Sequence, residues 1–200
     1  PDYIPQIIEV CRREQVSLIF PLIDPDIPLL AQHRAAIEAT GARLAVVSSE
    51  AAEVTRDKWL TYQFFEQLGL PTAQSWLPDE CDPDQASYPL FIKPRRGSGA
   101  KNAFPALDAA QLRFFKDYVP SPIIQEFLTG PEITSDVICD LDGEVLGVVS
   151  RQRIEVRWGE VSKGVTVHHP AVIEGCVKIA QALPTVGPIT VQCILRYDVP

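Results

Sequence analysis

The chain has 200 residues and a mass of 22.1 kDa, 46% hydrophobic and 22% charged, long enough for one large domain or two small ones around an ordinary core. Eighteen basic residues against 26 acidic ones give a net charge of −8 and a pI near 4.9, which argues against a nucleic-acid scaffold. Every long apolar stretch is soon broken by Pro or a charge, and none approaches the roughly 20 residues that cross a bilayer, so no membrane partner is expected.

The first residues alternate helix and strand. Tyr3 to Glu14 carries Ile4, Ile7, Ile8 and Cys11 on one stripe, which predicts an amphipathic helix. Val16 to Pro21 reads as a short strand buried on both faces. A Pro- and Asp-rich turn leads to a helix over Leu29 to Thr40, stopped by Gly41, and then to a strand over Arg43 to Val47. Strand–helix–strand of this length predicts a parallel unit. Two strands make a small sheet, and Pro1 opens a chain that contains no Met, so further residues upstream are expected.

Asp57 is an expected N-cap for a helix that runs to Gly69, with Trp59, Leu60, Phe64 and Leu68 on its apolar stripe. Strands follow at Thr72 to Leu77 and Leu90 to Pro94, separated by an acidic, Pro-rich link. Arg95 to Asn102 (RRGSGAKN) is a glycine-containing loop, Asp108 caps a helix over Ala109 to Tyr118, and Ile123 to Leu128 is again a strand. Beyond this the pattern turns antiparallel. Glu132 to Asp140 and Glu144 to Arg151 flank Leu141-Asp142-Gly143, and Asp-Gly is a strong hairpin signal. A strand at Val161 to His168, a helix at Ala171 to Leu183 and a strand at Ile189 to Leu195 complete the chain. The fold class read from this order is α/β, passing to α+β in the C-terminal part.

The five cysteines (Cys11, Cys81, Cys139, Cys176 and Cys193) are odd in number, scattered and free of any C-x-x-C pair, so reduced thiols of a cytoplasmic protein are expected rather than disulfides or zinc. Cys139 and Cys193 read as core filler. His168 and His169 are adjacent, point to opposite faces of any strand and chelate poorly together; before Pro170 they read as loop. Trp59, Trp76 and Trp158 read as packing residues, with only Trp158 near a plausible acceptor.

The positive charge is concentrated. Lys93, Arg95, Arg96 and Lys101 lie within nine residues that hold no carboxylate, and Arg151, Arg153, Arg157 and Lys163 lie within thirteen more. Such clusters suit an anion that bridges them, although solvated loop charges would read the same way. Gly97-Ser98-Gly99-Ala100-Lys101-Asn102 lacks the third glycine of a dinucleotide fingerprint and joins two strands, and no Walker P-loop is present. It is either an ordinary hairpin or a loop whose amides close over phosphates. Lys93, on an otherwise apolar strand, favours the second reading because a lysine on a buried side needs an anion. Glu126 and Glu132, six apart across Thr129-Gly130-Pro131, can face one cleft, or can be solvated acids.

Taken in order, Asp57-Lys58 opening a helix, Leu90-Phe91-Ile92-Lys93-Pro94, the RRGSGAKN loop, Gln125-Glu126-Phe127-Leu128-Thr129-Gly130-Pro131-Glu132 and Gly187-Pro188-Ile189-Thr190-Val191-Gln192 resemble the ATP-grasp superfamily. The nearest resemblance is to its carbamoyl-phosphate synthetase large-subunit-like branch, to which Arg151 to Val167 is also similar. The resemblance implies an ATP-grasp fold behind a truncated Rossmann-like domain: 1–54 as that preceding domain, 55–128 as the N-terminal subdomain and 129–200 as an incomplete C-terminal one. It implies that Lys58 and Lys93 hold ATP phosphates and that the loop from Arg95, with Gly97, Ser98 and Gly99, folds over the triphosphate. Glu126, Phe127 and Leu128 would meet adenine, and Glu132 the ribose. Arg153, Arg157 and Lys163 would face the acyl phosphate and acceptor as catalytic cations, and Gln192 would edge the site of Mg2+ (or Mn2+).

The implied activity is that of an ATP-dependent ligase acting on small-molecule carboxylate and amine (or ammonia) substrates, with a homodimer left open. The alternative is a nucleotide-binding module that has lost catalysis. A hydroxyl kinase would need His-Arg-Asp and Asp-Phe-Gly, and neither tripeptide occurs. The family's main metal ligands, Glu-x-Asn on the next strand, are expected past Pro200, so the fragment as given is expected not to turn over.

Overall fold

The computed structural model describes residues 2–157 and 160–196, with the side chains of 157 and 160 left aside. It mixes helix and strand as the pattern predicts, and it divides into two compact units. The first comprises residues up to Glu53 with Ser135–Ser150 and His168–Val191; the second comprises Val54–Thr134, Arg151–Val167 and the residues from Gln192 on.

In the first unit, α1 (Tyr3–Glu14) buries Ile4 and Cys11 from its apolar stripe. Strands β1 (Leu18–Ile19) and β2 (Arg43–Leu44) pair in parallel, Leu18 opposite Arg43. Both are shorter than expected, and Leu18 is exposed rather than buried on both faces. The reason at β2 is visible: Arg34 donates to the carbonyls of Leu44 (2.9 Å), Val46 and Val47 (3.4 Å), so its guanidinium takes acceptors that a neighbouring strand would use.

The single helix expected over Leu29 to Thr40 is two, α2 (Asp26–Gln32) and α3 (Arg34–Glu38). At the break, the His33 ring nitrogen Nδ1 engages the Leu29 carbonyl at 2.9 Å, competing for a helix acceptor. An unanticipated helix, α4 (Ser49–Arg56), follows, its start capped by Ser48 Oγ, which accepts from the Ala51 N–H at 3.1 Å.

The second unit begins with α5 (Lys58–Gln67), followed by β3 (Ser75–Trp76), a 3-10 turn at Pro78–Glu80, β4 (Leu90–Pro94), β5 (Phe104–Ala106), α6 (Ala109–Tyr118) and β6 (Pro122–Glu126). Both predicted caps form: Asp57 accepts from the Trp59 N–H and Asp108 from the Gln111 N–H. The strands make an antiparallel sheet in the order β3-β6-β4-β5. Strand period then decides which side chains share a face. Leu90, Ile92 and Ile124 pack with Leu112 of α6 in a buried core, against which Trp76 and Phe104 lie partly buried. Phe91 and Lys93, opposite Gln125 and Ile123, lie on the other face.

A second four-stranded sheet has the order β10-β7-β8-β9, built from β7 (Glu132–Cys139), β8 (Val145–Arg157), β9 (Glu160–Val167) and β10 (Pro188–Ile194). The Asp-Gly hairpin forms between β7 and β8, with Asp140 Oδ1 accepting from the Asp142 and Glu144 N–H groups. β8 runs six residues past the expected end at Arg151. Helix α7 (Pro170–Ala182) packs Cys176 and Ala180 on Val137 and Cys139 in the first unit. No disulfide joins the five cysteines, four of which are buried; Cys139 fills core as read, while Cys193 is only half-buried. Among the described residues no helix is long and apolar enough to cross a membrane.

Candidate functional site

Every position singled out from the sequence as a site residue falls in the segments of the second unit. Lys58 is the first residue of α5, placed there by the Asp57 cap. A lysine at a helix start is electrostatically poor, and its use is elsewhere. Its ammonium donates to the carbonyls of Gly97 at 2.9 Å and Arg95 at 3.3 Å, while its own N–H donates to the Arg95 carbonyl at 2.9 Å. Lys58 therefore ties down the start of the glycine loop. Burial pulls its pKa down, and Asp57 offsets part of that.

Lys93 is half-buried on β4, on the Phe91 face. Its ammonium stands 5.7 Å from the centre of the Phe91 ring, and no carboxylate lies within ion-pair distance of it among the described residues. Instead the nearby charge that acts on it is Lys58. Burial first, and that like charge second, lower its pKa to about 8. A cation held in partial burial beside another cation is an arrangement completed by an anion.

The arginines of the loop behave differently. Arg95 forks onto Asp57, Nε to Oδ1 at 3.1 Å and Nη2 to Oδ2 at 2.8 Å, and Arg96 Nε approaches the same carboxylate at 3.4 Å. Asp57 itself is only 2% exposed. The nine-residue segment without a carboxylate thus receives one from a helix cap 38 residues earlier, and the expectation that an external anion bridges all four of its cations is corrected for Arg95 and Arg96. Lys101 stays exposed. The loop joins β4 to β5, as read, with Gly97 (φ +106°) and Gly99 (φ +72°) in left-handed conformations and Gly97, Ser98 and Gly99 all exposed.

Glu126 ends β6, half-buried, with its N–H donating to the Gln74 carbonyl and its carboxylate 3.7 Å from Arg196. Register sets it opposite Leu90, on the α6 face rather than the Lys93 face. Phe127 comes back to the Lys93 side, its ring 6.1 Å from that of Phe91 and more than a third exposed; Leu128 is half-buried. Glu132, at the start of β7, accepts from Arg153 Nη1 at 2.9 Å, and the Arg153 side chain is only 7% exposed. The two residues assigned from the sequence to ribose and to acyl phosphate thus hold each other. Lys163, on β9, pairs with Glu155 at 2.8 Å. Arg157 ends β8, but its side chain, like Trp158, lies outside the described residues. Gln192 is exposed on β10.

Sequence reasoning read Asp57 only as a cap; its grip on two loop arginines leaves no local signal. The described residues contain no group of three His, Cys, Asp or Glu side chains able to hold a metal ion, so they do not by themselves make a magnesium cage. They do suit a polyanion at Lys58 and Lys93, with the Phe91 and Phe127 rings as an apolar surface beside it.

Residues 55–200 match the family model for the ATP-grasp domain, and residues 1–45 match that for the PylC-like N-terminal domain. The chain is 28% identical over 191 residues to a D-alanine–D-alanine ligase of Fusobacterium nucleatum, covering 86% of this chain and 64% of that protein. It is 24% identical over 136 residues to a carbamoyl-phosphate synthase of Methanobrevibacter smithii, covering 65% of this chain and 37% of that one. The fold is similar to that of the biotin carboxylase domain of Hydrogenobacter thermophilus 2-oxoglutarate carboxylase, solved as a dimer with MgADP, ADP and bicarbonate. There the TM-score is 0.73 at 16% identity, covering 94% of this chain and 47% of that one. The chain thus spans less than two thirds of each of these relatives.

Proposed function

Because the chain belongs to the ATP-grasp family, we propose that its second unit binds the triphosphate of ATP for a ligase that activates a small-molecule carboxylate as an acyl phosphate, which an amine or ammonia then attacks. In this reading residues 1–54 are the preceding Rossmann-like part, and 55–128 and 129–200 are the two ATP-grasp subdomains. A carbamoyl-phosphate synthetase-like reaction is one member of this class, and D-alanine–D-alanine ligation, the reaction of a relative that this chain matches over more of its length, is another.

The observation that carries the proposal is Lys93: a half-buried ammonium with a second lysine as its charged neighbour and no carboxylate within reach among the described residues. ATP supplies the phosphoryl group when bound. Lys93 and Lys58 bind and neutralise the triphosphate, and the loop from Gly97 to Gly99 covers it with backbone N–H groups. Phe91 and Phe127 flank the base, and backbone groups around Phe127 and Leu128 meet its edge. Glu132 takes the ribose hydroxyls once released from Arg153, and Arg153, Arg157 and Lys163 present positive charge to the acyl phosphate. All of this is positioning and electrostatics, which dominate phosphoryl transfer. No step is assigned to Mg2+, since the described residues supply no donor set; Gln192 would be one oxygen at its edge. The small-molecule substrates and a cytoplasmic setting belong to the same proposal.

Calorimetric titration with ATP is the test. We expect saturable binding that Lys93→Ala abolishes with the fold intact by circular dichroism; unchanged binding removes Lys93 from the site. The second reading is a nucleotide-binding module without turnover. ADP release on incubation with ATP, Mg2+ and pooled carboxylates and amines separates the two.

A further inference from the structure

We propose that Asp57 is a positioning residue for nucleotide binding: it clasps the base of the glycine loop to the start of α5, so that Lys58 and the loop amides meet a triphosphate together. The clasp stands on contacts within the second unit, and only the ligand rests on the proposed function.

Both oxygens of the carboxylate are committed. Oδ1 accepts from the Trp59 N–H at 3.0 Å and from Arg95 Nε at 3.1 Å; Oδ2 accepts from Arg95 Nη2 at 2.8 Å and faces Arg96 Nε at 3.4 Å. A helix cap needs one acceptor. This one is 2% exposed and also holds two guanidinium groups 38 and 39 residues away.

Arg95 is fixed through its backbone as well. Its N–H donates to the Ser121 carbonyl at 3.0 Å, and its own carbonyl accepts from the Lys58 N–H at 2.9 Å and the Lys58 ammonium at 3.3 Å. The Gly97 carbonyl accepts from the same ammonium at 2.9 Å. Beyond it the character changes: Ser98 to Asn102 are exposed, and Gly99, Ala100 and Asn102 have positive φ (+72°, +54° and +55°). The part of the loop left to close over a ligand is thus 98–102, and it pivots on the residues that Asp57 and Lys58 hold. A loop whose base wanders must be ordered at the expense of binding. Asp57→Asn keeps an oxygen for the cap but removes the charge and turns the other acceptor into a donor that faces Arg95.

Trypsin reads the loop directly, because Arg96 marks its base and Lys101 its tip. On the whole chain we expect rapid cleavage after Lys101, slowed by ATP, and slow cleavage after Arg96. Asp57→Asn should speed the Arg96 cut about tenfold, as loss of a charged hydrogen-bond pair implies, and leave the Lys101 cut unchanged. In calorimetric titration Asp57→Asn should weaken ATP about tenfold, a usual size for coupling between groups. Added to Arg95→Met, which keeps the cap, it should cost nothing further, whereas a merely structural loss would add. An unchanged Arg96 cut, unchanged ATP affinity or additive losses each overturn the proposal. A parent chain that binds no ATP overturns the nucleotide reading instead, and the Arg96 cut still decides whether Asp57 clasps the loop.

Discussion

Asp57 and Arg95, 38 residues apart, form a two-pronged ion pair at 3.1 and 2.8 Å on a carboxylate that also caps α5. The pair fixes the base of the glycine loop against the helix that presents Lys58. Removing the carboxylate takes away an N-cap, typically about 1 kcal/mol, and leaves a half-buried guanidinium without its main partner. Asp57→Ala should therefore lower stability by about 2–3 kcal/mol in urea denaturation. Asp57→Asn keeps a good cap and should lose about half as much.

The same carboxylate sets an acid limit. Burial pushes its pKa up, but the Arg95 hydrogen bond, the N–H groups of Trp59 and Leu60 and the Arg95 charge outweigh burial and leave it lowered. The unfolded chain then takes up a proton before the folded one does. Stability from this pair is complete above the ordinary carboxylate pKa and is lost as pH falls through the lowered value, a dependence that Asp57→Asn should remove.

On the proposed reading, Lys93 sets the alkaline limit of nucleotide binding. The protonated form binds the triphosphate, so ATP affinity should be level from pH 6 to 7.5 and fall above pH 8, where an ordinary lysine would hold it to pH 10. Between about pH 8 and 10.5 the unfolded chain carries the proton that folded Lys93 has lost, so stability from this residue rises with pH across that window. Below it the buried charge is a burden. Lys93→Met should stabilise the chain at pH 7 by about 1–2 kcal/mol while abolishing ATP binding, and the gain should vanish by pH 10.5.

Arg153 and Glu132 differ in burial, 7% against 41% side-chain exposure, and this makes their loss unequal. Glu132→Ala takes a carboxylate from a buried guanidinium, whereas Arg153→Ala leaves a carboxylate that water can reach. The first should cost about 1–2 kcal/mol more than the second in thermal or urea unfolding. If Glu132 must turn to ribose, Arg153→Met should also tighten ATP.

Gly130, between β6 and Glu132, has φ +146°, and a Cβ there would collide with the backbone carbonyl of Leu195. Neither atom belongs to a flexible side chain. Gly130→Ala should destabilise by about 3 kcal/mol or more, against about 1 for Gly97→Ala, whose surroundings are open.

The sequence by itself determined what is local. Asp57 and Asp108 announce their helices because a cap bonds an N–H two or three residues away, and the span over Leu90 to Pro94 announces its strand through period two. Motif order along the chain carried the family. Misread spans were those where a side chain takes a backbone acceptor: the β2 carbonyls held by Arg34 from another element, and the helix broken where His33 takes the Leu29 carbonyl within its own segment.

Which cations are satisfied was decided only by the tertiary structure. Arg95, Arg96 and Lys93 belong to one basic cluster along the chain, yet among the described residues packing delivers the Asp57 carboxylate to the two arginines and Lys58 to the lysine. Charge is neutralised through space over a few ångströms, and register, not spacing along the chain, sets which groups come that close.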